Sequence, residues 1–491
     1  LFSGQSKFKY LSMKTCSRGS TYFNLNVDTS AVDSMVIAGS ARRFAVPWKT
    51  LAGGSIYVGE LEKPGKLISK NVPLLTGHTE KISTLAFNPF DENVLASSGE
   101  EGNIVLWKLP SVGVQQGFGL GDERTTLLNG HTKGVRNIAW HPCAANTLAS
   151  ASIDMTIRLW DVQAQKSVSS HVESSGKITS LGWDYNGVSL YVSTRTCILQ
   201  VDPRVSENAA TTILENPHSG GKGIKSTVMR DPNFVASIGF SSMARREFKI
   251  WDIRKTEKPT HCETIDHGAG ILWPFYDADT GCLFLSSKGE STLHVYEVCS
   301  DGSVLKCSPC SVGGDPLAGL TFLPKTSCNI KSVEFCKALR CTQGAVEPLS
   351  FSLPRSADLV SWFQDDIFPL TRSTTGASMS ASSFFSGELA PPKLVDLCPS
   401  GMKPVSAKPL DESPKQTVTA KYIAQRKSAV EQQAEKDKAF NRLQSLAVQH
   451  AQYHTNESMG KRGQTKGIKV KGEHVAEIDS GSSDSGWSDD D

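Results

Sequence analysis

Residues 130–161, GHTKGVRNIAWHPCAANTLASASIDMTIRLWD, place His131, Ser150, Ser152 and Asp154 within one short unit. His131, Ser150 or Ser152, and Asp154 are the side-chain types of acid–base and nucleophilic chemistry. They are also types that satisfy one another when buried, and they do so only in a fixed geometry, so that the set locks strand register. The surroundings favour this second role. Alternating apolar runs at 135–140, 147–151 and 156–159 read as strands, separated by His141-Pro142 and Ile153-Asp154 as turns. His131 and Asp154 are therefore read as scaffold rather than as catalytic groups.

The elements around them repeat. The unit opens with Gly130-His131 and closes with Trp160-Asp161, which resembles the WD-repeat signature of β-propellers. That resemblance implies a hydrogen-bonded chain of His131, Asp154, Ser150 or Ser152, and Trp160 that pins one blade. Gly77-His78 opens a similar unit ending in Trp107-Lys108. Glu101 stands there where the repeat usually has Asp, so a weakened or rearranged chain is expected. Further units decay from the pattern: 34–61 before these, then 171–204, His218 to Trp251-Asp252, 270–297 and 317–338. An open stack of such units would leave exposed sheet edges, so the expected fold is all-β, a seven-bladed WD-repeat β-propeller closed by the N-terminal segment. Its structural residues are His78, Trp107, His131, Asp154, Trp160, Asp161, Trp251 and Asp252.

Composition excludes several classes. A net charge of +2 over 491 residues predicts no partner by bulk charge and no nucleic-acid binding. No long apolar run suggests a transmembrane segment, and no signal peptide opens the chain. The 12 cysteines lack a disulfide-framework spacing, and Cys307 and Cys310 form a lone C-x-x-C without further ligands. Reduced thiols, no metal and no cofactor are expected. Residues 219–226 (SGGKGIKS) nearly match a phosphate loop, but Ile224 replaces the required Gly and the segment sits among strands. No nucleophile elbow or zinc-protease motif occurs, so no enzymatic activity is expected. The Gly-rich connection 110–129 is a candidate binding loop.

Several stretches resemble the coronin family beyond a generic repeat. They are Ser6-Lys7-Phe8-Lys9-Tyr10, residues 239–247 (GFSSMARRE), residues 272–280 (LWPFYDADT), residues 347–355 (EPLSFSLPR), residues 364–371 (QDDIFPLT) and residues 390–394 (APPKL). Together they span roughly 6–405. The first of them also reads alone as a short edge strand with Phe8 and Tyr10 inward. The resemblance implies a regulator of the actin cytoskeleton that binds filamentous actin and influences the branched-filament nucleating Arp complex, located in the cytoplasm with a Golgi association allowed. It is nearest to the second half of a tandem-propeller coronin, which together with Leu1 in place of Met implies a second propeller before Leu1. The implied domains are a propeller over 1–340, a packed extension over 341–405, a linker over 406–471 with a helix-prone segment at 420–450, and an acidic tail over 472–491. Short coronins carry a functional arginine in the stretch matching 22–32, which here (YFNLNVDTSAV) has no basic residue. Lys7, Lys9, Lys14, Arg18, Arg42 and Arg43 remain as contributors, with Lys7, Lys9, Arg42 and Arg43 the candidates to face actin.

The tail, expected from its composition to be mostly disordered, carries its own chemistry. After the basic stretch 461–471 no Lys or Arg occurs, and acidic residues gather around Trp487. A lone Trp among Asp, Ser and Gly has no local core to enter, so it is read as an anchor for a partner's pocket. Residues 484–491 (DSGWSDDD) resemble the acidic Trp motif of factors that engage the Arp complex. Asp484, Asp489, Asp490 and Asp491 would steer and Trp487 would insert. Ser488, before three Asp, reads as an acidophilic phosphorylation site. The other reading is an adaptor whose propeller takes a peptide in Golgi-linked membrane trafficking or ubiquitin-ligase recruitment.

Overall fold

The second strand of each repeat explains the architecture. Thr147–Ser152 and Cys282–Ser287 are buried at every position. A strand covered on both faces needs small or apolar residues throughout, and TLASAS and CLFLSS supply them. Each such strand lies between a first strand lining a central channel and a third strand facing outward. The sheets so formed are Ala38–Gly39, Arg43–Trp48, Gly54–Glu60 and Leu75–His78 in blade 1, and Ile82–Phe87, Val94–Gly99, Ile104–Lys108 and Thr125–Leu128 in blade 2. Val135–Trp140, Thr147–Ser152, Thr156–Asp161 and Lys166–Val172 make blade 3, and Ser180–Trp183, Leu190–Ser193, Cys197–Val201 and Ala210–Glu215 make blade 4. Lys225–Val228, Phe234–Phe240, Arg246–Asp252 and His261–Asp266 make blade 5, and Leu272–Asp277, Cys282–Ser287, Thr292–Val298 and Val304–Lys306 make blade 6. Gly319–Phe322, Glu334–Cys341 and Ala345–Ser352 begin blade 7. The described residues up to 408 thus form a seven-bladed, almost entirely β propeller. The structure is a computed structural model that describes residues 6–408, except 16, 32–33, 52, 69–70, 116–117, 173–175, 205–209 and 357, and beyond these only Lys438.

Blade 7 is closed by the start of the chain. Ser12–Thr15 pairs antiparallel with the far end of Ala345–Ser352, Ser12 opposite Ser352, and Tyr22–Phe23 pairs with its near end, Tyr22 opposite Val346. The outer strand is broken opposite Glu347 and Pro348. Pro348 has no N–H to donate, so an uninterrupted partner would gain no bond there. This corrects two expectations. The boundary between propeller and extension does not fall at 340, because 345–352 is a strand of the closing blade. The segment 6–10 is a turn rather than a strand: Lys9 N–H donates to the Ser6 carbonyl at 3.2 Å and Leu11 N–H to the Phe8 carbonyl at 2.9 Å. Phe8 is fully buried, 5.0 Å from the Phe335 ring, while Tyr10 is 70% exposed.

The links between blades and the turns between second and third strands share the upper face. The remaining turns share the lower face, which a strap crosses from residue 353 onward. Phe363, Ile367 and Phe368 join the core of blades 6 and 7. Thr371 donates to Asp279 at 2.5 Å below blade 6. Arg372 then donates to the Tyr185 carbonyl at 2.7 Å and lies 3.9 Å over the Tyr185 ring, below blade 4. Ser378 N–H meets the Cys143 carbonyl at 2.8 Å below blade 3. There the helix Ala381–Phe385, N-capped by Ser380, sets Phe384 against His141 at 4.4 Å and Trp183 at 6.0 Å. The strap returns, and Phe363 N–H bonds the Lys403 carbonyl at 2.8 Å.

Candidate functional site

The pinning residues meet in three blades. In blade 3, Trp160 Nε1–H donates to Ser150 Oγ at 2.8 Å, and Ser150 Oγ lies 2.8 Å from His131 Nε2. The Asp154 carboxylate can only accept, so the neutral His131 presents Nδ1–H to it, 3.1 Å away, and Nε2 accepts a hydrogen bond from the Ser150 hydroxyl. Ser150, not Ser152, is the serine of the chain. Asp154 also accepts from Thr132 N–H at 2.9 Å and Thr156 Oγ1 at 2.6 Å. Burial would raise the Asp154 carboxyl, but these hydrogen bonds outweigh it and hold it below the usual range. Burial lowers the His131 imidazole, in keeping with its neutral form.

Blade 2 builds the same chain from a longer acid. His78 meets Ser97 Oγ at 2.6 Å, Trp107 donates to Ser97 at 2.7 Å, and Glu101 reaches His78 Nδ1. The chain is rearranged but closed. Blade 5 supplies a set whose acid and serine went unseen in the sequence. His218 bridges Ser237 at 2.8 Å and Glu247 at 2.9 Å, and Trp251 donates to Ser237 at 2.8 Å. Glu247 stands inside the third strand, where no repeat position marks it. Its hydrogen bond from His218 lowers it to about 2. Asp161 and Asp252 stand outside these chains. Asp161 accepts from Gln163 and Ala164 N–H, both at 3.0 Å, and Asp252 pairs with Arg254 at 2.8 Å. Both shape lower-face turns.

The basic candidates do not form one group. Lys7 and Lys9 are exposed beside the strap, and Lys7 donates to the Asp366 carbonyl at 3.3 Å. Arg42, in a lower-face turn of blade 1, lies 3.4 Å from Glu92. Arg43 is only 4% exposed and donates to the Pro110 carbonyl at 2.6 Å. It is a structural residue and cannot face a filament. Trp487, Asp484, Ser488, Asp489, Asp490 and Asp491 lie outside the described residues.

A concavity of about 850 Å³ opens on the upper face and had no signal of its own in the sequence. Arg136, Lys177, Arg195, Lys222, Lys225 and Lys288 line it, with no Asp or Glu among its lining residues. Lys225 donates to the Thr179 carbonyl and lies 3.7 Å over the Trp273 ring. Lys288 donates to the Thr29 carbonyl at 2.7 Å and also to that of Ala31, and burial lowers its pKa. Lys222 donates to the Ala269 carbonyl. Two lysines of the near-miss phosphate loop thus end in this cup.

The fold and its pinned blades define a WD-repeat propeller carrying a lower-face strap. Comparison with known proteins agrees. The WD domain, G-beta repeat family matches residues 69–108 and 122–161, a further type of WD40 repeat matches 346–392, and a domain of unknown function (DUF1899) matches 2–66. Coronin-A of Dictyostelium discoideum is 33% identical over 82% of this chain and 87% of its own length. Coronin-7 of Rattus norvegicus is 32% identical over 90% of this chain but 47% of its own length, so the chain spans about half of that relative. The crystal structure of the WD40 domain from Toxoplasma gondii coronin superposes with a TM-score of 0.73 at 27% identity, covering 81% of this chain and 99% of that domain. The chain belongs to the coronin family.

Proposed function

We propose that this chain is a non-enzymatic regulator of the actin cytoskeleton, acting in the cytoplasm. It binds filamentous actin through the propeller and engages the branched-actin nucleating Arp complex through its acidic tail. The observation that carries the reading is the match to Coronin-A over 82% of this chain and 87% of that relative. The propeller is the rigid platform. Exposed Lys7 and Lys9 and the lower-face Arg42 are the cations offered to a filament, since Arg43 is buried. In the tail, Asp484, Asp489, Asp490 and Asp491 steer towards a basic surface, and Trp487 inserts to slow dissociation.

The tail is tested with labelled 472–491 peptide and purified Arp complex at two salt concentrations. The expected result is micromolar binding that weakens with salt and loses on the order of 2 kcal/mol in Trp487→Ala. Equal, weak binding by both peptides would remove the recruitment mechanism.

A further inference from the structure

The upper-face cup gathers its cations from four successive blades. Arg136 belongs to blade 3, Lys177 to the link between blades 3 and 4, and Arg195 to blade 4. Lys222 belongs to the link between blades 4 and 5, Lys225 to blade 5 and Lys288 to the turn of blade 6. Arg136 pairs at 3.4 Å with Glu100 outside the lining, but the lining itself holds six cations and no carboxylate, and these focus a positive potential into the concavity. We propose that this cup binds a phosphorylated peptide segment of a partner protein.

Charge alone would take any anion, but size, surface and preorganisation narrow the choice. The volume falls in the range of built ligand sites, roughly 300–1,000 Å³. Ile178, Ile271 and the Trp273 ring lie between the cations. A phosphoserine or phosphothreonine beside an apolar side chain uses both kinds of surface, whereas a fully hydroxylated polyphosphate leaves the apolar part unfilled. Lys222, Lys225 and Lys288 each donate to a backbone carbonyl of a neighbouring blade or loop, at Ala269, Thr179, and Thr29 with Ala31. These bonds hold the walls and place the ammonium charges before any ligand arrives. The loop around Lys222 can lie this close because it is glycine: a Cβ at Gly223 would stand 2.7 Å from Thr179 Cγ2. Arg195 differs from the lysines. It is exposed at the mouth and has no carboxylate within ion-pair distance among the described residues. Its planar fork suits bidentate recognition of phosphate.

The inference does not rest on actin binding, and its test uses neither actin nor the Arp complex. The full chain is titrated into a fluorescein-labelled nonapeptide library with a fixed central phosphoserine flanked by degenerate positions that include apolar residues. Parallel libraries carry serine or aspartate at the centre. Saturable binding of the phosphoserine library is expected, weakened about tenfold or more by Arg195→Glu and by Arg195→Gln. Lys258→Glu, an exposed charge reversal on the lower face, should leave it unchanged. Both Arg195 variants should melt with the parent protein, since that side chain makes no hydrogen bond among the described residues. Absence of saturable binding, equal binding of the serine or aspartate library, or equal weakening by Lys258→Glu would overturn the proposal. So would binding confined to phosphoinositide vesicles, which would assign the cup to a membrane surface.

Discussion

Ser150 holds two buried partners with one oxygen: it accepts from Trp160 and donates to His131. Ser150→Ala strands an indole N–H and an imidazole nitrogen away from water at once. The expected cost is about 2–6 kcal/mol, read as a lower urea midpoint, since each of the two orphaned buried groups costs about 1–3 kcal/mol. Asp161→Asn touches only a lower-face turn and should shift the midpoint by less than about 1 kcal/mol. Acid should undo the same chains in a defined order. His131 and His218 are lowered from 6.5 by burial, so below 6.5 the unfolded histidines take up protons that the folded ones refuse, and stability falls. Glu247, lowered from 4.5 to about 2 chiefly by its hydrogen bond from His218, contributes stability that is present above 4.5 and is lost as pH falls towards 2. Melting temperature should therefore be flat above pH 6.5 and decline in two stages below it. A flat profile down to pH 4 would contradict this protonation scheme. The sequence exposed the blade 3 chain because Asp154 occupies the repeat's turn position. Glu247 was hidden because a carboxylate within a strand looks like an outward-facing residue until the His218 partner is known.

At the scale of elements, the strap depends on a small aromatic anchor. Phe384 is fully buried against His141 and Trp183. Phe384→Ala should cost about 3 kcal/mol through lost contacts and a cavity. Hydrogen exchange should accelerate at 378–387 while the buried second strands keep their protection. Unchanged exchange there would show that the strap is held elsewhere. His141 also takes part, since its Nδ1 accepts from Cys143 and Ala144 N–H at 3.0 and 2.7 Å, and burial lowers it to about 4. The strap's presence was legible from its coronin-like stretches, but its start was not. Residues 347–355 combine two prolines with apolar residues, a pattern that reads as irregular chain. Pro348 enters a strand only because the partner opposite it is interrupted, a long-range fact outside any local window. The same limit misplaced the first segment, where Phe8 and Tyr10 alternate as a strand would but part company in a turn.

At the scale of the whole molecule, the ring is closed by chain ends far apart in sequence. Removing residues 1–27 would leave Ala345–Ser352 as a bare edge with unpaired N–H and C=O groups. The truncated chain should lose its cooperative melt or associate edge to edge, seen as concentration-dependent light scattering. A monomer as stable as the parent would show that closure rests on the inner strands alone. Seven blades could be counted from repeat spacing because every unit carries its own turns and apolar runs. The cup could not, because its cations are spread from Arg136 to Lys288 and only the closed ring brings them together. The proposed function requires this coronin-family propeller to bind filamentous actin. Co-sedimentation of the full chain with filamentous actin, at low and near-physiological salt, tests it most directly. Saturable micromolar pelleting that weakens as salt rises is expected. A chain that stays in the supernatant at every filament concentration, at both salts, would contradict it.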